Sequence, residues 1–356
     1  MICNKKIKRV LFVTEYLGYP FDEGIKKTAH YLHEYLSKNY EVLTLCREGF
    51  DHPQLSAIKS NKLFLSLNVY RRIRQFNPDT LIYLPFSSSR NASYVRHWLL
   101  TIMSHHVTNL FISMQPKHIK SIYSVFLKVF KPQHLCTPSL VLHNYWNQHG
   151  VSNKLIPLVT DLDKFRPIAL QQKSMLRKKY CIPEDRIVLS HMGHLNYGRN
   201  LEALIPLQDA GYQVVVAASS STPRDSIGPV SLKETLIKKG IIILDGYIER
   251  IEEIYQLSDV YVFPVVRRAG SIGLPLSILE ARACGIPVMT TEFESVRFFL
   301  GNDNNTIIYA EPQDFLEHMA SVDLRISTSD AVRRLNNMLT DYINGIVTCN
   351  DRTVSR

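Results

Sequence analysis

The run GSIGLPLSILEARACGIPV, residues 270 to 288, follows DVYVFPV, residues 259 to 265, and this pair of segments carries the most structural information in the chain. The first segment is β-branched and aromatic, which reads as a strand. Pro275 suits the first turn of a helix and Gly285 suits its end. A strand, a glycine-containing loop and a helix in that order bring loop amides and the helix N-terminus to one place, an arrangement suited to an anion. Glu280, farther along the same helix, is within reach to accept hydrogen bonds from hydroxyls of a ligand held there. A strand-glycine-helix turn recurs in many α/β proteins, so by itself it sets the fold class and leaves the ligand open.

The same rhythm extends in both directions. Short apolar runs alternate with amphipathic stretches, which implies parallel sheets covered by helices on both faces. In the first half, strands are expected near Arg9 to Thr14, Glu41 to Leu45, Lys62 to Leu67, Thr80 to Leu84, Asn109 to Ser113 and His134 to Thr137. Ile25, Ala29, Leu32 and Leu36 lie at helical spacing and place a helix over Gly24 to Ser37. In the second half, strands are expected near Ile187 to Met192, Gln213 to Ala218, Ile241 to Leu244, Val260 to Pro264, Pro287 to Thr290 and Thr306 to Tyr309. The pattern predicts an α/β chain of two doubly wound domains. Their expected bounds are 1–155 and 176–328, with a linker over 156–175 and a closing helix and tail over 329–356 that packs back on the first domain.

Composition narrows the function classes. A chain of 356 residues with 45% hydrophobic and 21% charged residues is that of a folded soluble protein with room for two cores. The six cysteines form no CxxC pair and no Cys/His cluster, which argues against structural zinc and a disulfide framework and fits a reducing cytoplasm. The opening MICNKKIKRVLFVTEYLG reads as a first strand rather than a signal, and no stretch approaches the roughly 18 apolar residues that span a bilayer. Any membrane contact is then expected to be peripheral. Residues 1–150 hold 19 Lys and Arg against 8 Asp and Glu, while 151–356 hold 23 against 24. The basic first half by its charge alone suits anionic lipid headgroups, nucleic acid or a phosphorylated acceptor. Arg71, Arg72 and Arg74 share one helix in it, and Lys26 and Lys27 follow Gly24 at another helix start. His105 and His106 lack a partner carboxylate or cysteine motif for a metal. GxSxG, HExxH and Walker patterns do not occur, and the two glycines of TEYLGYPFDEG stand six apart instead of in the dinucleotide-binding pattern, which disfavours a dehydrogenase.

Segment 270–288 resembles the signature of the retaining GT-B glycosyltransferases of family 4, the glycosyl transferases group 1, written E-G-x-P-x-x-x-x-E-A-x-A-C-G-x-P-V. Gly273, Leu274, Pro275, Glu280, Ala281, Ala283, Cys284, Gly285, Pro287 and Val288 fall in register with it. IPLVTDLDKFRPI resembles that family's crossing between domains through Ile156, Pro157, Asp161, Phe165 and Pro167. MGHLNYGRNLEALI resembles its G-R-L-x-x-x-K-G segment and puts Arg199 at the basic position that grips the donor diphosphate, where a guanidinium pairs with phosphate in bidentate fashion. By the resemblance Glu280 holds the nucleotide ribose, and Gly273, Leu274 and Pro275 line the donor site.

The chain departs from the family pattern at several places. Ile272 stands where the family has the glutamate that orients the transferred sugar. His194 replaces an arginine as a pH-dependent phosphate partner. The catalytic histidine after the fifth strand has Gln115 at the nearest position, with His118 three residues on, and the paired glycines of the first loop reduce to Gly24. The resemblance implies two Rossmann-like domains facing across a cleft, with the last helix crossing back. The implied activity is a hexosyltransferase moving a sugar from a UDP- or GDP-sugar to a glycan, lipid-linked or other acceptor, with retention and no metal cofactor. No nucleic-acid partner is expected. Two other readings stay open: a non-catalytic nucleotide-binding or scaffold protein of the same fold, and a sugar-nucleotide epimerase.

Overall fold

A computed structural model describes residues 8–21, 23–49, 55–57, 63–86, 90–104, 107–115, 130–219, 229–266, 271–302, 306–324 and 329–348. Two compact units result, one of residues 1–157 with 337–356 and the other of residues 158–336.

The first unit contains β1 (Arg9–Thr14), β2 (Tyr16–Leu17), β3 (Glu41–Cys46), β4 (Glu48–Gly49), β5 (Leu55–Ala57), β6 (Thr80–Leu84), β7 (Thr108–Ile112), β8 (His134–Thr137) and β9 (Lys154–Leu155). Seven of them form one sheet in the order β5-β3-β1-β6-β7-β8-β9, and β2 pairs with β4 separately. All described pairs are parallel, for example Val10 with Val42 on one side and Thr80 on the other. A parallel strand is covered on both faces, which is why β1 reads as an unbroken apolar run; Val10, Leu11, Phe12 and Val13 have no exposed surface.

One expected strand is corrected. Residues 63–66 form a turn and coil, Leu67–Phe76 is a helix, and the edge strand is Leu55–Ala57, paired to β3. Lys62 lies outside the described residues. The cause is local: Phe64 sits at φ 59, which breaks an extended run, and Ser66 caps the helix by accepting from the Val69 amide at 3.1 Å. The apolar residues of KLFLSL thus split between a buried Phe64 and exposed Leu65 and Leu67.

The second unit contains β10 (Val188–His194), β11 (Gln213–Ser219), β12 (Ile242–Asp245), β13 (Val260–Phe263), β14 (Val288–Thr290) and β15 (Ile307–Tyr309). Their order is β12-β11-β10-β13-β14-β15, again parallel throughout. Counted within the unit this is the order 3-2-1-4-5-6 of a doubly wound sheet, which reverses direction between its first and fourth strands. The six expected strands of this half are all present, with ends shifted by at most two residues.

Both units open their central strands with the same device. The Arg9 amide donates to the Asp79 carboxylate at 2.8 Å while the Asp79 amide donates to the Arg9 carbonyl, and the Val188 amide and Asp259 repeat the exchange at 2.7 and 2.8 Å. Asp259 also takes Lys173 and Arg177 at 2.6 Å each, which ties helix Leu170–Lys179 to the sheet. The closing helix, Ser329–Thr348, is longer than the amphipathic segment 331–346 that marks it in the sequence. Its Asn344 accepts from Tyr35 and Tyr40 of the first unit at 2.6 and 2.5 Å, while Asn336 exchanges two hydrogen bonds with the Thr160 backbone of the second.

Candidate functional site

In a doubly wound sheet the crevice lies beyond the carboxyl ends of the strands where the order reverses. In the second unit that is the gap between β10 and β13, and the loops leaving those two strands carry the residues singled out in the sequence. Asn200, at φ 54, donates through its side chain to the Pro264 carbonyl at 3.2 Å and so joins the two loops.

After β13, Gly273 and Leu274 are buried, and the Gly273 carbonyl accepts from the Ser295 hydroxyl at 2.8 Å. Pro275 stands immediately before the helix Leu276–Ala283, one position earlier than the first turn, at φ −63 and ψ 124. Gly285, at φ 80, follows the helix end in the left-handed region that a side chain disfavours. The helix is covered on nearly every side: Ile278, Leu279 and Ala281 have no exposed surface, and the charged Arg282 is buried with them. Ile272 is half-buried, and Gly270 lies outside the described residues.

Glu280 is also fully buried, with 0% exposure, and accepts a hydrogen bond from the Tyr255 hydroxyl at 2.8 Å. Burial pushes the Tyr255 phenol well above its ordinary range, and the adjacent Glu280 charge pushes it further. Tyr261 is a buried residue of β13 that pairs with Ser190 of β10. Its hydroxyl sits beside Ser277 and the Met192 backbone, and its pKa is raised, chiefly by burial; Glu280 adds to the rise while Arg199 opposes it. Arg199 and Glu280 stand on the elements that follow β10 and β13, the two strands that flank the sheet reversal.

Arg199 ends the short turn Tyr197–Arg199 after β10 and is half-buried. Its guanidinium lies over Gly193: a Cβ there would stand 3.4 Å from Cζ and 3.5 Å from Nε. His194, the last residue of β10, is half-buried, and its carbonyl accepts from the Asn196 amide at 3.1 Å.

The remaining sequence candidates belong to the first unit. Gly24 begins the helix Gly24–Asn39, and its carbonyl accepts from the Thr28 hydroxyl at 2.8 Å. Gln115 is buried beyond the end of β7. His118, like His105 and His106, lies outside the described residues. Among the described residues no group of three or more His, Cys, Asp or Glu is placed to hold a metal ion. The residues that the sequence did not single out are His191, Tyr255, Tyr261 and Asn200. His191 alone carried a signal, as a polar ring inside the apolar strand IVLSHM.

A sequence model of the family described as Glycosyl transferases group 1 matches residues 199–322, the stretch that starts at Arg199 and includes Glu280. The chain is 26% identical over 307 residues to the UDP-Gal:alpha-D-GlcNAc-diphosphoundecaprenol alpha-1,3-galactosyltransferase of Escherichia coli, covering 79% of this chain and 71% of that one. Among solved structures, a glycosyltransferase from Rickettsia africae superimposes with a TM-score of 0.72 at 14% identity, covering 98% of this chain and all of that one. Anabaena HepE in complex with UDP-glucose superimposes with a TM-score of 0.70 at 12% identity, over 95% and 99% of the two chains. With two parallel doubly wound sheets, these likenesses support a glycosyltransferase of the GT-B fold.

Proposed function

We propose that the protein transfers a hexose from a UDP- or GDP-sugar to a lipid-linked or other glycan acceptor, with retention, as its family 4 signature implies. The observation that carries this reading is that Arg199, on the loop after β10, and Glu280, on the helix after β13, stand on the two elements that flank the sheet reversal of the second unit. The leaving group is a nucleoside diphosphate. Arg199 and the amides near Gly273 and Leu274 meet the charge that grows on it as the glycosidic bond loosens, the largest single contribution such sites make. In this reading His194 adds a second phosphate partner and no metal cofactor takes part; Gly24, Gln115 and His118 stay candidates carried by the family resemblance alone.

The E. coli relative's name pairs a UDP-sugar with a diphosphoundecaprenol-linked acceptor, and HepE binds UDP-glucose, which supports the donor and acceptor classes. The exposed Leu67, Tyr70, Arg71, Arg72 and Arg74 of helix Leu67–Phe76 suit an anionic membrane surface, the place where a lipid-linked acceptor resides. Among the described residues no helix is long and apolar enough to cross a membrane. The test is release of UDP or GDP from a panel of nucleotide-sugars with a polyprenyl-diphosphate-linked saccharide. Acceptor-dependent release with sugar incorporation is expected; donor conversion without acceptor would instead mark an epimerase, and binding without turnover a scaffold. The full chain should also sediment with anionic but not neutral vesicles at low salt, and reversing the three arginine charges should reduce this.

Glu280 and Tyr255 separate ribose binding from structural support. Because the carboxylate has no exposed surface, a ribose reaches it only if the groups that cover it move aside. Glu280→Ala is expected to weaken nucleoside diphosphate binding by roughly 1.5–3 kcal/mol, the range for hydrogen bonds to a charged group. Tyr255→Phe, which leaves the carboxylate in place, should lower thermal stability and leave affinity within about threefold, since less than 1 kcal/mol of binding is then at stake. Calorimetry showing equal affinity losses in both variants would count against a ribose contact.

A further inference from the structure

His191 lies in the middle of β10 with 0% exposure, stacked on Tyr261 at a centroid distance of 6.1 Å and an interplanar angle of 9°. Its Nδ1 stands 2.9 Å from the Val262 carbonyl oxygen. A carbonyl only accepts, so Nδ1 carries the proton and Nε2 presents a lone pair. Among the described residues that lone pair has no hydrogen-bond partner. Buried acceptors without partners are rare and costly, so one that persists at a ligand site calls for a role.

The position of Nε2 supplies it. A Cβ on Gly193 would meet His191 Nε2 at 3.2 Å and the Arg199 guanidinium at 3.4 Å, so both groups border the same small space. The glycine keeps that space open, and any side chain there would wedge the imidazole and guanidinium apart. Burial pushes the His191 pKa down to about 3, and the neighbouring Arg199 charge lowers it further. The imidazole is therefore neutral in any physiological buffer and offers the cation an acceptor instead of a second positive charge.

We propose that His191 is a positioning residue for Arg199: when the guanidinium engages the donor's diphosphate, His191 Nε2 accepts a hydrogen bond from it across Gly193 and fixes the face that Arg199 turns to the ligand. This deepens the donor-site reading and rests on it. His191 touches no ligand itself, so its contribution appears only where the ligand carries the phosphates that Arg199 meets.

Calorimetry of UDP, GDP, uridine and guanosine on the full chain tests this in the wild type and in the His191→Phe, His191→Gln, Gly193→Ala and Arg199→Ala variants. His191→Phe keeps the stacked ring and removes the acceptor. It is expected to lower affinity for the preferred diphosphate by about tenfold or more, as for loss of a hydrogen bond to a charged group, and to leave nucleoside affinity unchanged. His191→Gln, whose amide oxygen can take the place of Nε2, should recover most of the loss, and Gly193→Ala should reproduce it. If His191→Phe does not fold, Gly193→Ala decides by the same criterion. A diphosphate preference that Arg199→Ala abolishes but the other variants leave intact overturns the role of His191 alone, and so does an equal loss for diphosphate and nucleoside. A wild type that binds diphosphate no better than nucleoside overturns the donor-site reading, and this inference with it.

Discussion

Arg199→Ala is expected to lower the turnover number with a saturating donor by about 10²- to 10³-fold, the cost of removing one preorganised group that meets charge developing in a transition state. The guanidinium suits the task because it stays charged at every accessible pH and is half-buried against Gly193, where screening by water is reduced. Affinity for a bare nucleoside should change little, because it lacks the charge that Arg199 meets. Arg199→Lys keeps the charge but loses the planar fork, so its rate should fall between the two. Steady-state kinetics separates the cases: an Arg199→Ala enzyme with unaltered kcat and a raised KM would place the residue in ground-state binding only.

The second large effect is on stability, in the first unit. Glu15 follows β1 at 3% exposure, and its carboxylate accepts from the Tyr83 hydroxyl at 2.7 Å, from the Phe86 amide at 2.6 Å and from the Arg96 guanidinium. These partners come from β6, the segment after it and helix Asn91–Ser104, so one carboxylate ties three pieces together beside the reversal between β1 and β6. Glu15→Ala strands a buried arginine charge and two further donors. Breaking a buried pair from one side costs about 3–5 kcal/mol, which in a unit of this size lowers Tm by roughly 6–20 °C. Glu15→Gln keeps shape and an acceptor oxygen, and should cost less. Calorimetric melting checks both variants, and a change below about 1 kcal/mol in Glu15→Ala would mean that water readily replaces these partners.

The parts legible in the sequence are those whose causes are local. Buried parallel strands leave unbroken apolar runs, so RVLFVT and VYVF announce themselves, and Gly285 marks the end of its helix by its backbone angle. The failure at Lys62 to Leu67 is also local, since the cap at Ser66 outweighs an apolar run, whereas the short edge strand Leu55–Ala57 has too little pattern to detect. Arg199 and Glu280 are legible through the motifs around them. The roles of Tyr255, Tyr261 and His191 are not, because each arises from residues distant in sequence: Glu280 is 25 positions from Tyr255, and Val262 is 71 from His191. The repeated exchange at Asp79 and Asp259 is hidden for the same reason.

The division of the last helix has a consequence for the order in which the protein is completed. Residues 158–336 are contiguous, whereas the first unit waits for residues 337–356. Chains emerge from the ribosome N-terminus first, and domains generally fold as units. Here the second unit has its whole sequence before the first one does, although the first is translated earlier. Until residues 337–348 are made, the first unit lacks the buried Leu339, Ile343, Ile346 and Val347 and the Asn344 side chain that Tyr35 and Tyr40 contact. A premature stop just past Asn336 would therefore spare the unit that carries Arg199 and Glu280 and leave the earlier-made one with an open apolar face.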